Sequence, residues 1–260
     1  MSNVFRKKVV FGAVPIGNPS DISINMINHI NDADIILVES HREFSRLITS
    51  LNSLPGFIKP DLKPHAFIYP YQLESGDERI KEINNKIIND IKNNKKVLIV
   101  SDEGSSVFLE PMMALKSILL NLNIDFDVLP GPNSVIASFV SGTNTFVEFC
   151  FGGNFEWIAE KRKQEIFYNI KDLKIPTIFI LRSIGLKQYI TEIKNNLGND
   201  WRIDLAMNLT MDTEKHIDGT FDQALQFIDN NLNLWEYEEE YRKIICMVYP
   251  FENVEKYEKI

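Results

Sequence analysis

Four short stretches of this 260-residue chain bring chemically capable residues together where apolar runs end. They are Pro15-Ile16-Gly17-Asn18, Glu39-Ser40-His41-Arg42, Ser101-Asp102-Glu103-Gly104-Ser105 and Pro130-Gly131-Pro132-Asn133-Ser134. Glycine lets a backbone approach a ligand closely, and a carboxylate such as Asp102 offsets positive charge on one. Glu39 and His41 are of types that accept protons. Several other chemistries are excluded. No G-x-x-x-x-G-K-[ST], G-x-G-x-x-G or G-x-S-x-G is present, which argues against a P-loop nucleotidase, an ordinary dinucleotide domain and an α/β-hydrolase. His29, His41, His65 and His216 are scattered and form no Cys/His cluster, so no metal site is expected.

The elements that must position these residues alternate strand and helix. KKVVFGAV reads as a strand ending in the turn-rich PIGNPSD. A helix follows behind Asp21 or Ser23, either of which is a suitable cap, and DADIILVE reads as a buried strand. Ile80, Ile83, Ile87, Ile88 and Ile91 trace one face of a helix over Glu78 to Asn94, ahead of the strand VLIVSD. Pro111 to Leu122 is another helix, FDVLPGPNS a strand and tight turn, and VIASFV a short helix leaving through SGTNT. The pattern then changes. TFVEFCFGG alternates like a half-buried strand, and IPTIFIL, IDLAMNL and RKIICMVYPF follow as strands separated by helices or a hairpin. Gly198 is a helix terminator after Leu186 to Leu197, and Thr220 caps the last helix. This predicts two α/β domains, 1–142 and 143–260, with mainly parallel strands whose carboxyl ends carry the ligand loops.

Composition bounds the reading. There are 28 Lys+Arg and 36 Asp+Glu, a formal net charge of −8, and 44% hydrophobic residues. This excludes a polycation and a disordered chain, and the length suffices for two cores of about 130 residues each. Residues 229 to 260 hold eight acids and four bases, so half the acidic excess lies in that tail and the remainder can still present a local basic patch. Cys150 and Cys246 sit in apolar runs without C-x-x-C spacing and read as buried thiols in a reducing compartment. No apolar run is long enough to span a membrane, and the start MSNVFRKKVVFGAVPIG lacks a signal-peptide pattern, so a soluble cytoplasmic protein with no membrane association is expected.

Taken in order, the loops resemble the tetrapyrrole methylase superfamily of S-adenosylmethionine-dependent methyltransferases, and within it the 16S rRNA 2′-O-ribose methyltransferase branch. The family's P-I-G-N-L-x-D-I is matched by Pro15, Ile16, Gly17, Asn18, Asp21 and Ile22. Its A-D-x-I-x-x-E-D-T-R is matched by Ala33, Asp34, Ile36, Glu39 and Arg42, with Ser40 and His41 in place of Asp and Thr. S-D-A-G-T-P is matched by Ser101, Asp102 and Gly104, P-G-P-S-A by Pro130, Gly131 and Pro132, and a later R-G-T-L by Gly219 and Thr220. The resemblance runs from about Val9 to Val248. It implies S-adenosyl-L-methionine as cofactor in a cleft between two α/β domains, and a homodimer to which WEYEEEYRKIICMVYPF could contribute. It also implies cofactor contacts from Pro15, Ile16, Gly17, Asn18, Val100, Ser101, Asp102, Ser105, Asn133, Ser134, Arg182 and Leu209. Asp102 has a second reading as a helix cap. A ribose 2′-hydroxyl acceptor gains from a general base, for which Glu39 and His41, ending the second strand, are the candidates; a surface role for His41 and an Arg42 partnership for Glu39 stand beside that reading.

The substrate side departs further from the family. G-F-L-P-R-K-x-x-x-R becomes GGNFEWIAEKRKQ, shifting the basic cluster to Lys161, Arg162 and Lys163. Y-E-S-P-H-R becomes LRSIGL, with Arg182 where the Glu stood, and A-R-E-L-T-K becomes AMNLTMD. Phosphate recognition relies on Lys and Arg, so these losses weaken the case for rRNA. Tyr69, Tyr71, Phe155 and Trp157 are of types that stack on bases, beside the reading that aromatic residues, 11% of the chain, are mostly core or interface. Three readings follow: an rRNA or ribosomal-subunit ribose methyltransferase, a diverged methyltransferase acting on a peptide or small molecule, and a non-catalytic paralogue.

Overall fold

The parallel strands expected near the start do form. In the computed structural model, residues 4–56, 59–63, 67–70, 78–106, 112–142, 146–231 and 243–251 are described. The chain divides into two units, Met1–Asn133 and Ser134–Ile260.

The first unit contains β1 (Val9–Val14), α1 (Ile24–Asp32), β2 (Ile35–Val38), α2 (His41–Ser53), β3 (Phe67–Pro70), α3 (Glu78–Lys92), β4 (Val97–Val100), β5 (Gly104–Ser105), α4 (Met113–Asn121) and β6 (Phe126–Leu129). Strands β3, β2, β4, β1 and β6 lie side by side and all run parallel, while β5 pairs antiparallel with the end of β1. Every residue of β1, β2 and β4 is buried, as strands covered on both faces must be. Val10, Ile36 and Leu98 point to one face with Met26, Ile27 and Ile30 of α1. Val9, Ile35, Val97 and Ile99 point to the other with Ile87 of α3 and Leu115 of α4. Burying each such side chain contributes about 1.5–3 kcal/mol.

Ser23 caps α1, its Oγ accepting from the Met26 N–H at 3.0 Å. Asp21 instead lies in a short 3-10 turn, Pro19–Asp21. The register makes the strand ends level: Gly12 lies opposite Val100 and Leu129, and Val38 opposite Val100. The four sequence-identified loops therefore leave the sheet at one edge.

The second unit contains α5 (Ser134–Ser141), β7 (Cys150–Asn154), α6 (Glu160–Leu173), β8 (Thr177–Arg182), α7 (Leu186–Leu197), β9 (Trp201–Met207), β10 (Lys215–Thr220), α8 (Phe221–Asn230) and β11 (Lys243–Pro250). Its strand order is β10-β9-β11-β8-β7. Only β7 and β8 pair in parallel; the other pairs are antiparallel, which corrects the expectation of mainly parallel strands here. β9 turns directly into β10, and β11 returns between β9 and β8. One sheet face packs Phe179, Leu181, Ile203, Leu205, Ile244 and Val248 against α6, α7 and α8. The Thr220 capping box with Gln223 and Gly198 at φ 86° set the helix ends where the sequence places them.

Helix α5 packs against β11 and belongs to the second unit, whereas a division after residue 142 would place it in the first. Phe139 of α5 meets Phe149 in a tilted ring contact at 4.7 Å, and beyond the helix Phe146 meets Tyr249 of β11 at 5.1 Å. Those residues serve packing, so the expected strand TFVEFCFGG is strand only over Cys150–Asn154. Cys246 is buried, but Cys150 is exposed, correcting its reading as a buried thiol; it opens the edge strand β7. No helix among the described residues is long and apolar enough to cross a membrane.

Candidate functional site

The loops of the first unit are tied to one another as well as emerging together. Gly104 has φ 69°, a conformation costly for a side-chain-bearing residue, and a Cβ there would lie 3.3 Å from Ile16 Cγ2. A Cβ on Gly131 would lie 2.8 Å from the Ala13 Cβ. Ser105 Oγ donates to the Pro132 carbonyl at 3.4 Å, and Ser106 Oγ donates to the carbonyls of Gly12 and Ile99. Gly104 and Gly131 thus let the SDEG and PGP turns approach the end of β1 and the PIGN turn closely.

A reciprocal clasp links β2 and β4. Asp102 Oδ1 accepts the Ser40 N–H at 2.9 Å, and Glu39 Oε2 accepts the Asp102 N–H at 3.3 Å. Asp102 thereby ties the end of β4 to the loop before α2. Ser40 supplies the α2 cap, its Oγ accepting from the Glu43 N–H. His41 projects from the exposed first turn of α2, with its Nδ1 3.4 Å from Ser45 Oγ. Arg42 Nε lies 3.7 Å from Glu43 Oε1, an ion pair within the first turn of α2.

Ser101, directly after β4, is 5% exposed, and its Oγ is buried without a hydrogen-bond partner. A buried hydroxyl left unpaired costs about 1–3 kcal/mol, so this atom fits a polar group brought by a ligand. Around it, Pro15 is buried, Ile16 and Gly17 are half-buried, and Asn18 is exposed, its Oδ1 accepting from the Ser20 N–H at 3.0 Å. Val100 has its side chain in the core and offers a ligand only its backbone. Asn133 ends the first unit and Ser134 opens α5 in the second, both half-buried.

In the second unit, Arg182 ends β8 and is held by both oxygens of Glu156, at 2.7 and 2.8 Å. Tyr189 faces the same carboxylate, and burial together with Glu156 raises its phenol above the ordinary range. Leu209 is buried between Asn208 and Thr210, which have φ 50° and 66°. A left-handed threonine is an uncommon, strained conformation of the kind that clusters at functional loops. Sequence reasoning missed Glu156 and the pairing of His216 with Asp204, whose nearest contact is 3.1 Å. Both depend on register between distant segments and leave no local motif.

The basic cluster has other employment. Lys163 bonds Glu192 at 3.0 Å and sits 4.3 Å above the Phe155 ring, and Arg162 pairs with Glu165 at 2.8 Å. Phe155 is buried and serves the core, the second of its two readings, whereas Trp157 is 63% exposed. The Tyr69 side chain, Tyr71, His65 and residues 232–242 lie outside the described residues.

The family profile of the tetrapyrrole (corrin/porphyrin) methylases matches residues 8–225. The chain belongs to this family. These methylases use S-adenosylmethionine as methyl donor, and the buried Ser101 hydroxyl and the clasped loops suit that role in this member. The tetrapyrrole methylase described here is 28% identical over 230 residues to ribosomal RNA small subunit methyltransferase I of Mesomycoplasma conjunctivae, an alignment covering 87% of each chain. Its fold is that of cobalt precorrin-4 methyltransferase, with a TM-score of 0.63, 17% identity and coverage of 92% of this chain and 94% of the other. Uroporphyrin-III C-methyltransferase from Thermus thermophilus, solved with S-adenosylhomocysteine, shares the fold at a TM-score of 0.56, 11% identity and coverage of 92% and 95%.

Proposed function

We propose that this tetrapyrrole methylase transfers a methyl group from S-adenosylmethionine to a ribose 2′-hydroxyl of small-subunit ribosomal RNA, as a cytoplasmic homodimer. The acceptor rests on one observation: the near end-to-end alignment with a ribosomal RNA small subunit methyltransferase I. The donor rests on the first-unit loops. In the proposal Ser101 offers its unpartnered hydroxyl, Asp102 its charge, and Pro15 to Asn18, Val100, Ser105, Asn133 and Ser134 the surrounding wall. Arg182 and Leu209 are the contacts proposed from the second unit. Bound donor supplies an electrophilic methyl carbon, and displacement there demands alignment and exclusion of water above all.

Glu39 is occupied by the Asp102 amide and is proposed as a positioning residue, while His41 is the base candidate of the first unit. Trp157 is suited to stack on a splayed base. The acidic balance and the engaged state of Lys163 and Arg162 leave few free cations for phosphate contacts on α6, so RNA binding is expected to depend weakly on salt for this class.

The test is a deletion strain whose 16S rRNA is mapped for ribose methylation. The reading expects one or more 2′-O-methyl marks to disappear and to return on complementation. Unchanged rRNA, with S-adenosylmethionine binding intact in the purified protein, would move the acceptor to a peptide or small molecule.

A further inference from the structure

Three side chains of the second unit form a hydrogen-bonded line that the loops above do not use. Ser141 Oγ lies 3.0 Å from His216 Nε2, and His216 Nδ1 lies 3.1 and 3.2 Å from the oxygens of Asp204. Asp204 is buried at 3% exposure, and burial raises its carboxyl, opposed by His216 and reinforced by Asp218 across the strand pair. A carboxylate on Nδ1 favours the tautomer with its proton there, leaving the Nε2 lone pair turned toward Ser141. Ser141 is exposed at the end of α5.

Asp204 of β9 approaches one nitrogen. Glu214, in the turn before β10, lies 3.5 Å from the other, beside the carbonyl end of α5. Asp218 of β10 acts on Asp204, and the Cys246 thiol of β11 is raised by burial and by the neighbouring Asp204. A serine, histidine and buried aspartate in line also resemble a hydrolytic triad, but the amide after Ser141, that of Gly142, is donated to the Ser138 carbonyl at 3.1 Å. Helix C-terminal carbonyls do not stabilise an oxyanion, so proton acceptance is the chemistry that remains.

The line also lies at the relevant end of the sheet. His216 pairs with Ala206, one residue before β9 ends at Met207 and two before the strained turn around Leu209. Ala206 pairs with Ile245, two residues from Lys243, the partner of Arg182. Both second-unit cofactor candidates, Arg182 and Leu209, thus share the sheet end with His216.

The geometry points to His216 as the general base of methyl transfer, receiving the acceptor hydroxyl's proton through Ser141 while Asp204 fixes its tautomer. This rests on the methyltransferase reading above. As the acceptor oxygen forms its bond to the methyl carbon, the carbon–sulfur bond breaks with its electron pair left on sulfur. The hydroxyl proton passes to Ser141 Oγ, and the Ser141 proton passes to His216 Nε2, where Asp204 balances the imidazolium. Asp204 is a positioning residue in this scheme.

The experiment compares wild-type protein with His216→Gln, Asp204→Asn, Ser141→Ala and His41→Ala. Small ribosomal subunits lacking ribose methylation serve as acceptor. Thermal stability, calorimetric affinity for S-adenosylmethionine, kcat against pH, and imidazole nitrogen NMR are read. His216→Gln is expected to leave cofactor affinity within about twofold while lowering kcat by about 100-fold or more and removing the rise of rate with pH. Asp204→Asn is expected to keep or raise thermal stability, to move the His216 proton from Nδ1 to Nε2, and to lower kcat similarly. A merely structural role for Asp204 produces no rate loss without a stability loss. Full kcat and an unchanged pH profile in His216→Gln would overturn the assignment. So would a proton that stays on Nδ1 in Asp204→Asn, or a pH-dependent loss found only in His41→Ala. Failure of wild-type protein to bind cofactor or methylate RNA overturns the underlying reading instead, and is distinguishable because the tautomer shift needs no turnover.

Discussion

Replacing Asp102 by Asn and by Ala separates its structural work from its proposed ligand work. The Asp102 carboxylate accepts the Ser40 N–H at 2.9 Å, and the Asp102 amide in turn reaches Glu39 at 3.3 Å. A hydrogen bond to a charged acceptor contributes about 1.5–3 kcal/mol and a neutral one about 1 kcal/mol. Asn retains an oxygen in the same place, so Asp102→Asn should lower stability by about 1–2 kcal/mol, and Ala by up to about 3 kcal/mol. Loss of the negative charge next to a cationic donor should weaken S-adenosylmethionine binding in both, by about tenfold or more, or about 1.4 kcal/mol. Urea unfolding followed by two probes gives the first quantity and isothermal titration calorimetry the second. Asp102→Asn with wild-type affinity would refute the cofactor role and leave a purely structural clasp. Equal stability losses in Asn and Ala would refute the hydrogen-bond account instead.

Three further outcomes are expected. Gly131→Ala places a Cβ 2.8 Å from Ala13 Cβ, so the PGP turn must shift and both cofactor affinity and the unfolding midpoint should fall, read by calorimetry and thermal denaturation. Thr220→Ala removes half of a capping box and should cost about 1 kcal/mol in urea unfolding, with cofactor binding unchanged. Asp34 is subject to burial, which raises its carboxyl, but the Lys96 amide and the Lys63 ammonium outweigh it and hold the group below the usual carboxylate range. Its stabilisation is therefore present above about pH 4 and is lost as pH falls through the lowered native value. Asp34→Asn should flatten that acid limb in unfolding measurements across pH 2 to 5, and an unchanged limb would assign the loss to other carboxylates.

Much of the first unit was legible because its information is local. Fully apolar runs such as VLIV and IILV are what two-sided burial requires, and the turns after them lie at one sheet edge because the strands are parallel and level. Ser23, Thr220 and Gly198 act at helix ends through chemistry contained in a few neighbouring residues. The second unit was less legible. Its antiparallel order depends on β11 inserting between β9 and β8, which no spacing announces. Of the aromatic residues of TFVEFCFGG, Phe146 packs on Tyr249 of β11 and Phe149 on Phe139 of α5, and only Phe151 lies in the strand. Arg182 reads as a cation near the site until Glu156, 26 residues earlier, is seen to hold it. His216 looks isolated in sequence because Ser141 lies 75 positions away and Asp204 becomes its neighbour only through the β9–β10 pairing.

The most direct test of the central claim is transfer of labelled methyl from S-adenosylmethionine by the purified protein to small ribosomal subunits taken from the deletion strain, followed by ribose-methylation mapping. The account predicts a stoichiometric 2′-O-methyl at the position lost on deletion. Cofactor bound with no methyl appearing on the RNA would contradict it.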